Sequence, residues 1–337
     1  MSTQTIDLRS DTVTRPTPAM RAAMLDAAVG DDVFADDPTV NLLQASLAER
    51  LGFEAGLFCP SGTQSNLTAL MAHCQRGDEY IVGQEAHTYR YEGGGAAVLG
   101  SIQPQPIINQ PDGSIALADI EAAIKPDDAH FARTRLIALE NTIGGKVLPL
   151  SYMAEVRQLA TARGLGFHLD GARMFNAAVK LGVGGKQLCE GFDSVSVCLS
   201  KGLGAPVGSV LCGSRDLISR AHRWRKMLGG GMRQAGMLAA AGLYALEHNV
   251  ERLADDHDNA EKLAAGLAHI GALRLEPVQT NIVYAHVPKE QCTDLQAFLA
   301  KRGIIALIGP KTRMVTHLDV SAAQIAQVVS AFKAYFR

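Results

Sequence analysis

Two short apolar runs in this chain each end in one charged residue, and that pairing constrains the fold more than any other feature. The first is Leu165-Gly166-Phe167-His168-Leu169-Asp170, followed by Gly171-Ala172-Arg173. The second lies in Val195 to Ser209, VSVCLSKGLGAPVGS. Val195, Val197 and Leu199 alternate as a strand does, and the polar pair Ser200-Lys201 stops the run. A small, flexible segment follows, with Gly202, Gly204 and Gly208, whose glycines let another body approach the backbone closely. A second apolar run, Val210 to Cys212, comes next. Lys201 thus stands at the mouth of a strand. A lysine held there against a partly apolar wall loses basicity and becomes nucleophilic towards carbonyls. An exposed lysine in an ordinary turn fits the same residues.

The rest of the chain repeats this alternation. Ala55 to Cys59, Tyr80 to Val82 and Arg135 to Leu139 read as short strands, the last ending in Glu140-Asn141-Thr142. Between them lie helical periods at Ala19 to Ala28, Val40 to Leu51, Leu67 to Cys74, Ile115 to Ile124 and the helix through Ala162, with Ser151 as its cap. Such alternation predicts an α/β fold, a mostly parallel sheet covered on both faces, with function at the C-terminal ends of its strands. Helices run from Gly213 to about Val250. From about Glu251 the pattern changes to a long helix, a strand pair (Leu273 to Leu275 and Asn281 to Ala285), a helix, the apolar stretches Ile304 to Leu307 and Arg313 to His317, and a final helix. The expected division is a large domain over 1–250, whose first residues reach the site, and a small α+β domain over 251–337.

Several functions are disfavoured. The formal net charge of -2 gives no global field for nucleic acid or an anionic membrane. No apolar run approaches the ~18 residues of a membrane span, and MSTQTIDLRSD lacks a signal-peptide core. The six cysteines show no C-x-x-C spacing and read as buried thiols in a reducing compartment, so a cytoplasmic location is expected. Gly202-x-Gly204 precedes a strand rather than a helix, so it is no dinucleotide fingerprint. Asp31-Asp32 and Asp36-Asp37 could ligate a hard cation or serve as helix caps, and without regular calcium-loop spacing they read as caps.

A strand-end Asp with a strand-end Lys is what pyridoxal phosphate requires. The Lys carries the cofactor covalently, and the Asp keeps its ring nitrogen protonated and electron-withdrawing. Seven stretches, two of them spanning this Asp and this Lys, carry a resemblance: LRSDTVTRPTPAM from Leu8, VGDDVFADDPTVN from Val29, SGTQSN from Ser61, HLDGARMFNA from His168, LSKGLGAPVGS from Leu199, RWRKMLGGGMRQ from Arg223 and VTHLDVS from Val315. In this order, and essentially end to end, they resemble the low-specificity L-threonine aldolases, pyridoxal-phosphate enzymes of the aspartate-aminotransferase fold (fold type I).

The resemblance implies an activity and a site. The activity is retro-aldol cleavage of L-threonine, L-allo-threonine and other L-3-hydroxy amino acids to glycine and an aldehyde, strict for L at Cα and loose at Cβ. Lys201 would carry the cofactor and Asp170 its ring nitrogen, with Ser200 beside them. Gly62 and Thr63, opening a helix, would hold the phosphate, a role that helix N-termini suit. His87 would stack on the ring and contact the substrate hydroxyl, with His130 nearby; either of them, or a water, could take the proton. Arg173 and Arg313 would grip the carboxylate bidentately, helped by Ser10. The glycine-rich loop of relatives crosses a dimer interface, so Lys226 and Arg233 would add charge to a neighbour's phosphate site. The implied assembly is a homodimer as catalytic unit, built into a homotetramer. Relatives commonly have a histidine after the Glu-Asn-Thr triplet; here Ile143 stands there.

Overall fold

The computed structural model describes residues 5–337. Its strands are β1 (Ile6–Asp7), β2 (Ala55–Cys59), β3 (Asp78–Gly83), β4 (Gln103–Ile107), β5 (Arg133–Glu140), β6 (Gly166–Asp170), β7 (Ser194–Cys198), β8 (Ser209–Gly213), β9 (Arg274–Leu275), β10 (Ile282–His286), β11 (Ile304–Ile305) and β12 (Lys311–Val315). Seven of them make one sheet in the order β2-β8-β7-β6-β5-β3-β4, in which β8 alone runs antiparallel to its neighbours. Every residue of β3, β7 and β8 is buried, which a sheet achieves only when both faces are covered. The expected mostly parallel, doubly covered sheet is therefore present.

Local chemistry sets the helices. Pro38–Leu51 begins where the Asp37 carboxylate accepts from the N–H groups of Thr39 and Val40, and Pro38 occupies a position that needs no donor. It ends at Gly52, whose φ of 82° few side chains tolerate. Leu43, Leu47 and Leu51 recur on one side of it and are fully buried. The helix Gly62–His73 starts five residues ahead of its expected Leu67, because Ser61 caps it by accepting from Gln64 N–H. Ser151 proves not to be a cap. Its helix begins at Leu150 behind Pro149, with no side-chain cap bond.

A second core gathers the C-terminal part. Leu263, Val283, Leu295, Met314 and Phe332 pack there under the helices Leu253–Leu267 and Ala322–Tyr335 and the antiparallel sheet β12-β10-β9. Ile6 and Leu8 belong to this core, and β1 pairs in parallel with β11 through Ile6 and Ile304. The chain therefore enters through the small unit. It crosses to the large one only at Ser10 and Asp11, which places that segment between the two cores.

Candidate active site

β5, β6 and β7 are adjacent and parallel, so their last residues converge. Glu140 and Asp170 are direct register partners at this edge. Lys201 lies three residues past β7, in a turn where Gly204 N–H donates to its carbonyl at 2.8 Å and Thr14 Oγ1 donates to the same carbonyl at 3.3 Å. A cleft of about 530 Å³ opens here, lined by Ser10, His87, Glu140, Arg173, Lys201 and Arg313, with Ile143 in its wall. A larger groove of about 1240 Å³ lies beside the helices Gly62–His73 and Arg215–Met227 and contains neither Asp170 nor Lys201.

Asp170 is buried and held on both oxygens. Oδ1 accepts from Ala172 N–H at 3.0 Å and Oδ2 from Asn66 Nδ2 at 2.9 Å. His87 is tied twice: its backbone N–H donates to Glu140 Oε2 at 2.7 Å, and its Nδ1 lies 2.8 Å from Glu92 Oε1. The bond to Glu92 raises the His87 pKa against the opposing effect of burial, and the charge of Asp170 adds to the rise. Burial and then Asp170 push the Glu140 carboxyl up to about 7, against the His87 N–H and the Lys201 charge. Neither Glu140 nor Glu92 was assigned a role from sequence. Glu140 carried the same signal as Asp170, a carboxylate ending an apolar run; Glu92 carried none.

The two arginines are not equivalent. Arg173 makes a bidentate pair with the buried Asp11, Nε to Oδ2 at 2.7 Å and Nη2 to Oδ1 at 2.6 Å, and Asn281 Nδ2 supports Asp11 at 3.1 Å. Burial acts to raise the Asp11 carboxyl, but Arg173, Lys201 and Asn281 together hold it well below the usual carboxylate range. Arg313, in the middle of β12, makes no ion pair among the described residues. Burial and the neighbouring Arg173 lower its pKa, the situation of a cation waiting for an anion. Ser10 lines the same cleft, and its Oγ accepts from Thr12 N–H at 3.2 Å.

Gly62 and Thr63 open their helix at the same edge of the sheet. Ser61 satisfies the N–H groups of Gln64 and Ser65, leaving those of Gly62 and Thr63 as the outward donors of the first turn. Ser209 Oγ is buried without a hydrogen-bond partner, and a Cβ on Gly62 would lie 3.5 Å from it. Ser200 Oγ lies 3.4 Å from Cys198 Sγ, across the strand end from this helix start. An orphaned hydroxyl and free helix donors suit a phosphate, and the nearby Asp170 and Lys201 suit a pyridine ring bearing a carbonyl. The residues present fit pyridoxal phosphate.

Three expected site residues stand apart from the cleft. His130 is exposed in the loop before β5, with Nδ1 2.6 Å from Asp128, because that loop lies away from the strand ends. Lys226 lines the larger groove. Arg233 Nη1 pairs with Asp31 Oδ2 at 3.1 Å and is half exposed. The loop between Lys226 and Arg233 does touch its own phosphate helix, for a Cβ on Gly230 would meet Gln64 Oε1 at 1.8 Å. The neighbouring basic residues Arg220, Arg223, Arg225 and Lys226 are not alike. Arg225 is fully buried, bonding Phe58 O and Asp32 at 2.7 Å each, so this cation is structural. The acidic cluster serves caps and pairs: Asp31 caps a turn, Asp32 holds Arg225, and Asp37 caps Pro38–Leu51.

Comparison with known proteins follows the same lines. The family described as beta-eliminating lyase matches residues 7–290. The "Low specificity L-threonine aldolase" of Escherichia coli (strain K12) is 55% identical over 330 residues, covering 98% of this chain and 99% of that protein. The "Probable low-specificity L-threonine aldolase 2" of Arabidopsis thaliana is 45% identical over 352 residues, covering 99% and 98%. Among solved structures, a threonine aldolase of Leishmania major superposes with a TM-score of 0.84 at 20% identity, covering 98% of this chain and 100% of that one. A putative L-allo-threonine aldolase of Listeria monocytogenes does so with 0.81 at 19% identity, covering 99% and 95%. At such identities the two structures speak for the fold.

Proposed function

The chain belongs to the low-specificity L-threonine aldolases within the beta-eliminating lyase family, and on that premise we propose how its residues perform the reaction. The protein is a pyridoxal-phosphate-dependent lyase that cleaves L-threonine to glycine and acetaldehyde. One observation carries the assignment of roles: Arg313, a guanidinium with no ion pair among the described residues, shares a cleft with Lys201 and His87 at the strand end that holds Asp170.

When bound, the cofactor supplies an electron sink that weakens the bonds at Cα of an amino acid joined to it. Everything else falls to the chain. Lys201 is the amine that would hold the cofactor covalently at its carbonyl carbon. Asp170, kept in place by Asn66 and Ala172, provides the anion that keeps the ring nitrogen protonated. Arg313 takes the substrate carboxylate, with the Nη1 edge that Asp11 leaves free on Arg173. Fixing that carboxylate decides which Cα bond stands across the ring. His87, committed at Nδ1 to Glu92, retains Nε2 to accept the β-hydroxyl proton as the Cα–Cβ bond breaks and the aldehyde leaves.

The assembly and location complete the proposal. A homodimer as catalytic unit, built into a tetramer, would bring Lys226 and Arg233 of one subunit towards the phosphate site of another. All six cysteines are buried and unpaired, which supports a reducing, cytoplasmic setting. Among the described residues no helix is long and apolar enough to cross a membrane.

The test is aldehyde release from L-threonine, L-allo-threonine and their D counterparts. Both L substrates should react, and neither D substrate. Weak recognition at Cβ rests on one imidazole, worth ~1–3 kcal/mol, so the two L diastereomers should differ by less than about a thousandfold in kcat/KM. Turnover of a D substrate would overturn the assigned grip.

A further inference from the structure

Behind the cleft lies a buried polar chain of which the reaction above uses only the first bond, from Asn66 to Asp170. It begins at Asn66, which is 2% exposed. Asn66 Nδ2 stands 2.9 Å from Asp170 Oδ2 and 2.9 Å from Glu92 Oε1. A carboxamide nitrogen has two hydrogens and accepts nothing, so both are spent on these two carboxylates. Asn66 Oδ1 must then accept, and its neighbour is His168 Nε2 at 3.4 Å. His168 therefore carries its proton on Nε2 and accepts at Nδ1, where Ser194 Oγ lies at 2.8 Å. Ser194 gives its hydrogen there and accepts in turn from His73 Nε2 at 2.7 Å. Every hydrogen in the series points towards the two acids.

Both histidines are neutral. Burial carries His168 down to about 3, with His73 adding to it, and burial followed by Arg220 carries His73 down to about 4. The series supplies oriented dipoles and no charge. It meets the reaction at two separate points, for Asp170 is the partner of the ring nitrogen and Glu92 is the partner of His87. Among the described residues Asn66 alone bonds both.

We propose that Asn66 is a positioning residue that couples Asp170 to the Glu92–His87 pair, and that His168, Ser194 and His73 keep its amide from turning over. By donating to Glu92, Asn66 makes that carboxylate a weaker acceptor and so keeps the His87 proton easier to lose. The groups that face His87 are Glu92 in the same loop, Asp170 and Glu140 at the ends of β6 and β5, Lys201 past β7 and the Tyr91 ring, centred 5.8 Å away. Of these, Glu92 and Asp170 are the two that Asn66 touches. A turned amide would present its oxygen to both acids, and His87 would then hold its proton more tightly.

The inference rests on the aldolase reading, and the experiment separates the two. Asn66→Asp and Ser194→Ala are compared with the parent, all loaded with cofactor, by three readings: the acid limb of kcat/KM against pH, cofactor dissociation followed by visible absorbance, and melting temperature. Asn66→Asp puts a third carboxylate among the others. It should move the acid limb up by ~0.5 pH unit or more and weaken cofactor binding ~10-fold. Ser194→Ala, remote from the cleft, should move the limb in the same direction by less. An unmoved limb in Ser194→Ala, with only a lower melting temperature, overturns the proposal and leaves ordinary core packing. Should Asn66→Asp fail to fold, Ser194→Ala decides alone. Absence of aldehyde release in the parent would strike the aldolase reading instead, and the absorbance titration would still report on Asn66.

Discussion

Arg173 and Asp11 meet edge to edge, with contacts of 2.7 and 2.6 Å, although 162 residues separate them. The pair fastens the entering segment to the end of β6, at the seam between the two cores. It also decides which arginine is open to substrate.

Asp11→Asn should therefore destabilise the protein strongly. Arg173 would remain buried without its counter-charge, a loss of ~3–5 kcal/mol. The folded Asp11 carboxyl lies below its unfolded value, so its contribution is present above about pH 4 and fades as the pH falls from there. Urea unfolding of parent and variant at pH 7 and pH 3.5 checks this. A gap that does not narrow at the lower pH counts against the ion pair.

Arg313 should behave differently. It carries no internal partner among the described residues, so Arg313→Ala should fold normally and lose carboxylate binding. A charge-assisted bidentate contact of ~1.5–3 kcal/mol corresponds to roughly a 10- to 150-fold rise in KM. Steady-state kinetics on L-allo-threonine, beside a melting curve, separates this from Arg173→Ala, which should lose both binding and stability.

These outcomes bear on what a sequence discloses. Asp170 and Lys201 were legible because each ends an alternating apolar run, a signal contained within about ten residues. Glu140 ends such a run too, yet only its register against Asp170 reveals that two acids face each other. The Asp11 clamp, the Asn281 support and the Asn66 link to Glu92 join residues far apart in the chain, and no local pattern encodes them. Nothing local sets Arg225 apart from Arg223 and Lys226 beside it, because burial of its guanidinium depends on Asp32 and on the Phe58 carbonyl arriving from elsewhere. β1 has two residues and no periodicity to read; its partner β11 makes it a strand.

Lys201 and Asp170 admit a direct chemical check. The pure protein should be yellow, and borohydride should fix the label on the peptide containing Lys201, with none on Lys146 or Lys226. Asp170→Asn should keep some cofactor and lose most turnover, since the neutral amide no longer favours a protonated ring nitrogen. Near-normal kcat in that variant refutes the role.

Glu140 gives a pH-dependent prediction of opposite sign to Asp11. Its folded carboxyl is raised to about 7 from 4.5, so the folded state retains a proton that the unfolded state has already lost. Stability should accordingly fall as pH rises through that window. In protein stripped of cofactor, Glu140→Gln should be more stable than the parent at pH 8, by ~3 kcal/mol at most, and no more stable at pH 4. Equal stability at pH 8 would show that Glu140 is solvated well enough to ionise freely.

The last prediction concerns the second subunit. Among the described residues the Arg233 side chain bonds only Asp31 and stays half exposed, and Lys226 lines the larger groove rather than the cleft. If Arg233 completes a neighbour's phosphate site, each site draws Lys201 from one chain and Arg233 from the other. Arg233→Ala and Lys201→Ala proteins should both be impaired, the first through weaker cofactor affinity. Allowed to exchange subunits, they form mixed dimers in which one site combines the two unmutated halves and the other site combines both lesions. Random exchange makes about half of the dimers mixed, so roughly a quarter of all sites should be intact at limiting cofactor. Recovery to that level, with cofactor affinity restored to the parent value, supports a shared site. Activity no greater than the sum of the separate proteins would place Arg233 in the service of its own chain.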